Sequence, residues 1–145
     1  MAYDFQVAVD CTDPHAQADW WAETLGWQVE SGGEEFIKDL IAKGFATEAD
    51  TKTHNGDLVW VTGAAIRHPE AFPSGAPRRV IFQQVPEGKA AKDRIHLDVF
   101  VGADNREAER DKLVARGATF LHPGRQGPHS WFTMADPEGN EFCIT

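Results

Sequence analysis

The feature that most limits the fold is one spacing of aspartate and glycine that occurs twice in the chain. Thirteen positions separate Asp13 from Gly26, and thirteen separate Asp104 from Gly117. Aspartate is a favoured N-cap, and glycine is favoured at the residue that ends a helix. Each spacing therefore predicts one helix, and the pair predicts two copies of one structural unit in tandem.

Strand-like segments surround both predicted helices. The first copy has predicted strands at 5–9, 27–29, 58–62 and 79–85, and the second has them at 96–101, 118–121, 130–135 and 141–145. Each copy therefore has the order β-α-β-β-β. The stretch from Asp136 to Gly139 predicts a turn between the last two strands, because Asp, Pro and Gly each favour tight turns.

An insertion at 31–57 distinguishes the first copy from the second. Its residues 35–43 are predicted to form a short helix that ends at Gly44, and the polar run 47–56 is predicted to be a loop. The sequence leaves the role of this insertion open.

The composition is that of one acidic domain. The 145 residues carry a formal charge of −9, which argues against nucleic acids and anionic membranes as partners. Two cysteines, Cys11 and Cys143, are too few for a disulfide scaffold, so we expect free thiols in a reducing cytoplasm. No apolar stretch approaches the ~20 residues that cross a bilayer, and the N-terminal MAYDFQVAVD lacks the features of a signal peptide.

Three motifs accompany the two copies. Leu25-Gly26-Trp27 ends the first helix, His96 opens the second copy, and Asp-Pro-Glu-Gly-Asn-Glu-Phe occupies 136–142. Together they resemble the vicinal oxygen chelate superfamily, which includes glyoxalase I, extradiol dioxygenases, fosfomycin resistance proteins and bleomycin-binding proteins. The stretches 82–87, 92–98 and 136–143 resemble its glyoxalase-like domain branch, which is common in actinobacteria.

The resemblance implies an α+β fold made of two tandem βαβββ modules related by a pseudo-twofold. The modules would span about 1–88 and 92–145, within a single domain that covers 1–145. Their curled mixed sheets would surround a central pocket for a small molecule, often with a metal held by one side chain from each of four strands. The resemblance also implies a homodimer.

Strand alternation indicates which side chains face that pocket. The face that carries apolar residues is expected to meet the helix, so the alternate residues face the pocket. The family's four ligand positions then correspond to Gln6, Gln83, His96 and Cys143. Counting back from the two helix-ending glycines pairs His96 with Phe5 instead of Gln6, so the first position is open by one residue.

Four further side chains are predicted to line the pocket. Asp98 and Phe100 lie on the same strand face as the predicted histidine ligand. Trp60 and Trp131 provide aromatic walls, which suit flat organic ligands.

Structural interpretations compete with some of these assignments. Cys143 also fits the role of a small buried apolar residue. Gln6 and Gln83 also fit a mutual hydrogen bond. His54 and His68 lie in predicted loops and are expected to be exposed to solvent.

The ligand set departs from the pattern of the superfamily. Metal-dependent members bring histidines and at least one carboxylate, whereas Gln83 and Cys143 occupy the usual glutamate positions here. A thiolate prefers softer metals such as zinc. No cofactor is predicted, and a divalent zinc, nickel, iron or manganese ion is left open. A carboxylate base for glyoxalase chemistry would have to come from Asp10, Asp98 or Glu141.

Three functions therefore compete. The first is a small-molecule enzyme with lyase, isomerase or dioxygenase-type chemistry on an oxygenated substrate, in which His96 is a ligand or an acid/base. The second is a protein that sequesters an aromatic, antibiotic-like molecule without chemistry. The third is an assembly domain whose pocket is vestigial.

Overall fold

The computed structural model, which describes residues 1–145, has the α+β fold that the sequence predicts, with three helices and mixed sheets that do not close into a barrel. The chain divides into two units, which cover 1–87 and 88–145. None of the helices has the length and apolar character that a membrane crossing needs. The relation of the two units by a pseudo-twofold stays a prediction.

The first unit contains two helices and six strands. They are β1 (Val7–Cys11), α1 (Pro14–Leu25), β2 (Gln28–Val29), α2 (Glu34–Ala42), β3 (Thr51–His54), β4 (Asp57–Trp60), β5 (Gly63–Arg67) and β6 (Arg79–Gln84). Four strands form one sheet in the order β1-β6-β5-β2, in which β1 and β6 are parallel and the other pairs are antiparallel. Strands β3 and β4 form a separate hairpin.

The first predicted helix has the boundaries that the sequence indicates. The Asp13 carboxylate accepts a hydrogen bond from the Ala16 backbone N–H at 3.1 Å, which satisfies one of the unpaired donors of the first turn. Gly26 ends the helix in the left-handed region at φ 67°. Ala18 and Trp21 are buried where α1 packs on β5 and β6.

The first strand begins later than predicted. Phe5 lies outside β1 and is 74% exposed, so it does not belong to the face that α1 covers. Its ring instead lies 6.4 Å from the ring of Phe72. The predicted alternation holds further along the sheet, because Val80 and Phe82 of β6 are buried.

The prediction of a loop at 47–56 was wrong. Residues Thr51–His54 form β3, and the turn to β4 is made by Asn55 and Gly56, both of which have positive φ. Asn-Gly is the strongest short-range signal for a two-residue hairpin, so the sequence itself favours this turn. The predicted strand at 58–62 belongs to this hairpin, and the unpredicted β5 takes the place in the main sheet.

The second unit contains one helix and four strands. They are β7 (Asp98–Val99), α3 (Arg106–Ala115), β8 (Thr119–Gln126), β9 (His129–Ala135) and β10 (Glu141–Ile144). The sheet order is β7-β10-β9-β8, with β7 parallel to β10 and the other pairs antiparallel. The predicted strand at 96–101 is therefore reduced to two residues.

Asp104 was predicted to cap the second helix, and the structure corrects this. Asp104 lies inside a 3-10 helix at Ala103–Asn105, and α3 begins after it without a side-chain cap. The spacing from Asp104 to Gly117 therefore equals that from Asp13 to Gly26, but only Asp13 caps a helix. The predicted turn is present, since the Asp136 carboxylate accepts hydrogen bonds from the backbone N–H groups of Glu138 and Asn140.

This difference between the two aspartates gives a stability test. Replacing Asp13 with alanine removes a capping hydrogen bond and should lower the free energy of unfolding by about 1 kcal/mol. The matched change Asp104→Ala should alter it by less than about 0.5 kcal/mol, because that side chain caps nothing. Chemical denaturation of both variants measures this, and equal losses would contradict the assignment of the cap.

Candidate functional site

A cavity of about 470 Å³ lies against the sheet of the second unit. Five of the residues predicted from the sequence line it: His96, Asp98, Phe100, Trp131 and Cys143. Its size falls within the range of small-molecule sites. We call it the second-unit cavity.

The position of Cys143 follows from the alternation along β10. Phe142 and Ile144 are fully buried in the core of the unit, so the residue between them points to the opposite face of the sheet. Cys143 is opposite Asp98 in the parallel pairing of β10 with β7. This register brings the thiol and the carboxylate together at the floor of the cavity.

His96, Asp98 and Cys143 form a compact polar group in this cavity. The Nδ1 atom of His96 lies 3.2 Å from the carboxylate of Asp98. One donor atom from each of the three residues lies within 4.8 Å of the others. His96 and Asp98 are exposed, whereas only 8% of Cys143 is exposed.

The surroundings of Cys143 disfavour its thiolate. Burial raises the pKa of the thiol, and the negative charge of Asp98 adds to the rise. The Thr133 hydroxyl, 3.7 Å from the sulfur, opposes it. Without a bound cation, the thiol therefore stays protonated at neutral pH and is a poor nucleophile.

The carboxylate of Glu141 is held by residues of the same unit. It lies 2.9 Å from the Lys89 ammonium and accepts a hydrogen bond from the Asp93 backbone N–H at 3.1 Å. Burial opposes its ionisation, but these two donors outweigh burial and lower the pKa of Glu141 to about 2. A carboxylate with such a low pKa is a weak proton acceptor, so Glu141 serves to attach the segment that begins at Lys89 to β10.

The donor types of the polar group fit a zinc ion better than a harder metal. Imidazole, carboxylate and thiolate are all zinc ligands, and three protein ligands leave one position open. Ligand atoms around tetrahedral zinc lie roughly 3.3–3.8 Å apart. His96 and Asp98 would therefore have to move by up to about 1 Å to complete such a site, and both are exposed enough to turn.

The aromatic side of the cavity depends on a glycine that sequence reasoning missed. Gly124 of β8 is opposite Trp131 of β9, and a methyl group on Gly124 would lie 2.2 Å from the indole. The indole therefore lies across β8 where only glycine leaves room for it. Phe100, which is 86% exposed, provides a second aromatic side chain.

Two histidines that were not singled out as site residues also line the second-unit cavity. His122 lies on β8, and His129 is the first residue of β9, one position before the predicted strand at 130–135. His129 has the same strand phase as Trp131 and Thr133, whereas Phe132 and Met134 alternate with them. Starting the predicted strand one residue earlier would have identified it.

The remaining predicted residues, Gln6, Trp60 and Gln83, lie in the first unit. Gln6 is exposed and accepts a hydrogen bond from Arg79 at 3.5 Å. Gln83 is opposite Asp10 in the sheet, four positions along the chain from Gln6. The predicted hydrogen bond between the two glutamines was therefore wrong. Gln83 and Trp60 line another cavity, of about 580 Å³, in this unit, which we call the first-unit cavity.

His54 was predicted to be exposed, and the structure corrects this. It lies in β3, is partly buried, and its Nε2 is 2.7 Å from the Asp19 carboxylate. The ring of His15 lies 4.9 Å from the ring of His54, and His15 itself is only 4% exposed. These contacts attach the hairpin to α1.

Comparisons with known proteins give one family. Residues 6–145 match the family model described as a glyoxalase-like domain. No curated protein matches the sequence.

Solved structures share the fold at low sequence identity. The fosfomycin resistance protein FosX from Mesorhizobium loti superposes with a TM-score of 0.62 at 8% identity, over 99% of this chain and 90% of that one. A glyoxalase/bleomycin resistance protein/dioxygenase family enzyme from Burkholderia phytofirmans PsJN superposes at 0.60 and 14% identity, over 96% and 94%. A domain of the same description from Frankia sp. EAN1pec superposes at 0.56 and 12%, over 99% and 96%.

The contacts of Glu141 predict how stability depends on pH. Because its folded pKa of about 2 lies below the ordinary 4.5, ionised Glu141 stabilises the fold above pH 4.5. This contribution is lost as the pH falls from 4.5 towards 2. Replacing Glu141 with glutamine should therefore flatten the fall of the melting temperature in that interval.

A surface pair provides the control for this measurement. Glu109 pairs with Lys112 at 2.8 Å, but Lys112 is largely exposed, so Glu109→Gln should leave the acid limb of the stability curve nearly unchanged. Thermal melts at several pH values compare the three proteins. An acid limb for Glu141→Gln as steep as that of the wild type would contradict the role given to this carboxylate.

Proposed function

The chain belongs to the glyoxalase-like domain family, and from this premise we propose that the second-unit cavity binds an oxygenated aromatic molecule. The proposal rests on one observation: Trp131 and Phe100 line the same cavity as the polar group of His96, Asp98 and Cys143. Aromatic walls with a few convergent polar groups are typical of small-molecule sites. Homodimer formation and a cytoplasmic location remain predictions from the sequence.

The two sides of the cavity would have different roles. The indole of Trp131 offers a flat apolar surface for a ring. At the floor, the imidazole of His96 and the thiol of Cys143 can donate hydrogen bonds to a carbonyl or hydroxyl oxygen of the ligand. The aromatic side thus supplies affinity, and the polar side orients the oxygenated end.

The polar group supports proton transfer beside a carbonyl, the chemistry of an isomerase or lyase. Asp98 is the carboxylate best placed as the base, because Glu141 is engaged by Lys89. His96 lies next to Asp98 and would polarise the carbonyl or return the proton. In a zinc-bound form, His96, Asp98 and Cys143 would serve as ligands instead, and the ion would supply the Lewis acid towards the carbonyl oxygen.

Dioxygenase chemistry is supported less well by this donor set. Non-haem iron oxygenases use two histidines and one carboxylate. Here the group consists of one histidine, one carboxylate and one thiol. We therefore favour proton transfer over oxygen activation.

Sequestration without chemistry is the second candidate, and the solvent exposure of the donors favours it. His96 and Asp98 are open to water, whereas catalytic acids and bases usually work in sites that exclude it. The aromatic walls alone suffice to bind a flat molecule.

Binding can be tested with a panel of hydroxy- and keto-substituted aromatic compounds followed by tryptophan fluorescence. Replacing Gly124 with alanine should displace the Trp131 indole and weaken the best ligand by about tenfold or more. The control is Gly88→Ala, because a methyl group there would contact nothing within 4 Å. Equal affinity of the wild type and Gly124→Ala would contradict the proposed site.

The two candidate functions differ in the effect of Asp98→Asn. If the protein is an isomerase or lyase, this isosteric change should reduce turnover of a bound keto compound by at least about 100-fold and change its affinity much less. Proton exchange at the carbon beside the carbonyl, followed by NMR in heavy water, detects the first step. Tight binding by the wild type without any exchange would overturn the enzymatic proposal and leave sequestration.

A further inference from the structure

The first-unit cavity is lined in part by the segment at 31–57 that the sequence marks as an insertion and by the β3–β4 hairpin. Phe36 and Ile37 of α2 and Leu58 to Trp60 of the hairpin supply much of its apolar lining. On the other side it is lined by Ile81 of β6. Its volume of about 580 Å³ is sufficient for a small organic molecule.

The charged groups around this cavity are mostly acidic. Four carboxylates, of Asp19, Glu30, Glu34 and Asp57, line it, whereas Arg79 is the one guanidinium or ammonium in the lining. An anion would therefore meet a repulsive surface.

The one guanidinium is already engaged. Two nitrogens of Arg79 donate to the two oxygens of Glu30, each at 2.7 Å, and Arg67 adds a third contact at 3.0 Å. Glu34 is paired with Lys38 at 2.8 Å. Of the four carboxylates, Asp19 and Asp57 are therefore the two that have no lysine or arginine partner.

Asp19 and Asp57 are both neighbours of His54. Asp19 is 2.7 Å from the His54 ring, and Asp57 is the direct cross-strand partner of His54 in the β3–β4 hairpin. Side chains of paired strand residues lie on the same face, so both carboxylates lie near one imidazole. This end of the cavity therefore carries concentrated negative charge.

A buried histidine holds that end in place. The Nε2–H of His15 donates to the Trp60 carbonyl at 2.7 Å, which joins α1 to β4. Together with the contact between His54 and Asp19, this bond joins α1, which carries Asp19, to the hairpin, which carries Asp57. Preorganised groups bind a ligand at a lower entropic cost.

From these observations we propose that the first-unit cavity is a binding site for an aromatic amine in its cationic form. The ammonium group lies near Asp19 and Asp57, where a neutral ligand would desolvate carboxylates without compensation. The ring lies against the apolar lining that includes Trp60, a side chain that also attracts cations through its π-face. This site is additional to the proposed function of the second-unit cavity.

The test uses the whole protein and 2-phenylethylammonium as the probe. The indole N–H signal of Trp60, assigned with a Trp60→Phe variant, is followed by ¹H–¹⁵N NMR. The amine should shift this signal. The neutral isostere 2-phenylethanol and the anion phenylacetate should each bind more weakly than the amine, by at least about tenfold. This comparison needs no variant of the charged groups.

Variants then locate the ammonium. Replacing both Asp19 and Asp57 with asparagine should weaken binding of the amine by about tenfold. The control Asp39→Asn lies on α2 but outside the cavity lining, so it should leave this binding unchanged. The variant His96→Ala should leave this binding unchanged, which separates it from the second-unit cavity. Equal binding of 2-phenylethanol, a shift confined to Trp131, or no shift of Trp60 at about 10 mM amine would overturn the proposal.

Discussion

The candidate site depends on the alternation of core-facing and cavity-facing side chains along the last strand, β10. Phe142 and Ile144 are driven into the core, so Cys143 has to face the opposite side of the sheet. A shift of the strand by one residue would turn the Glu141 carboxylate or the Thr145 hydroxyl to the core face and expose two large apolar side chains. The position of the thiol is therefore secured by hydrophobic burial on the far side of the strand.

Pairing of β10 with β7 then selects the chemical neighbours of that thiol. The parallel register sets Cys143 opposite Asp98, and His96 lies next to Asp98. Glu141, two residues before the thiol, is withdrawn from this group by Lys89. Two carboxylates on the same side of the sheet thus have different environments: Glu141 is fixed in an ion pair, and Asp98 is exposed beside His96.

Much of this arrangement could be predicted because alternation is a local property of the sequence. The apolar residues of β6 and β10 indicated the buried face, and five predicted residues line one cavity in the second unit. Pairing partners are not local, so the ion pair that engages Glu141 could not be foreseen. The role of Gly124 was equally hidden, because it depends on the indole that crosses it from the neighbouring strand.

Two errors in the first unit have different origins. A polar run was interpreted as a loop, although its Asn55-Gly56 pair favours a hairpin and its His54 finds a partner on α1. The small residues of β5, among them Ala64 and Ala65, have weak strand propensity, and their place in the sheet comes from packing under α1. Tertiary contacts therefore decided this part of the fold.

Occupancy of the floor of the second-unit cavity by a ligand is tested most directly at Cys143. The ¹³Cβ NMR signals of the two cysteines are recorded with and without the tightest aromatic ligand, and the buried Cys11 serves as the internal reference in the first unit. Saturating ligand should shift the Cys143 signal and leave the Cys11 signal in place. An unchanged Cys143 signal under saturation would contradict binding at this floor.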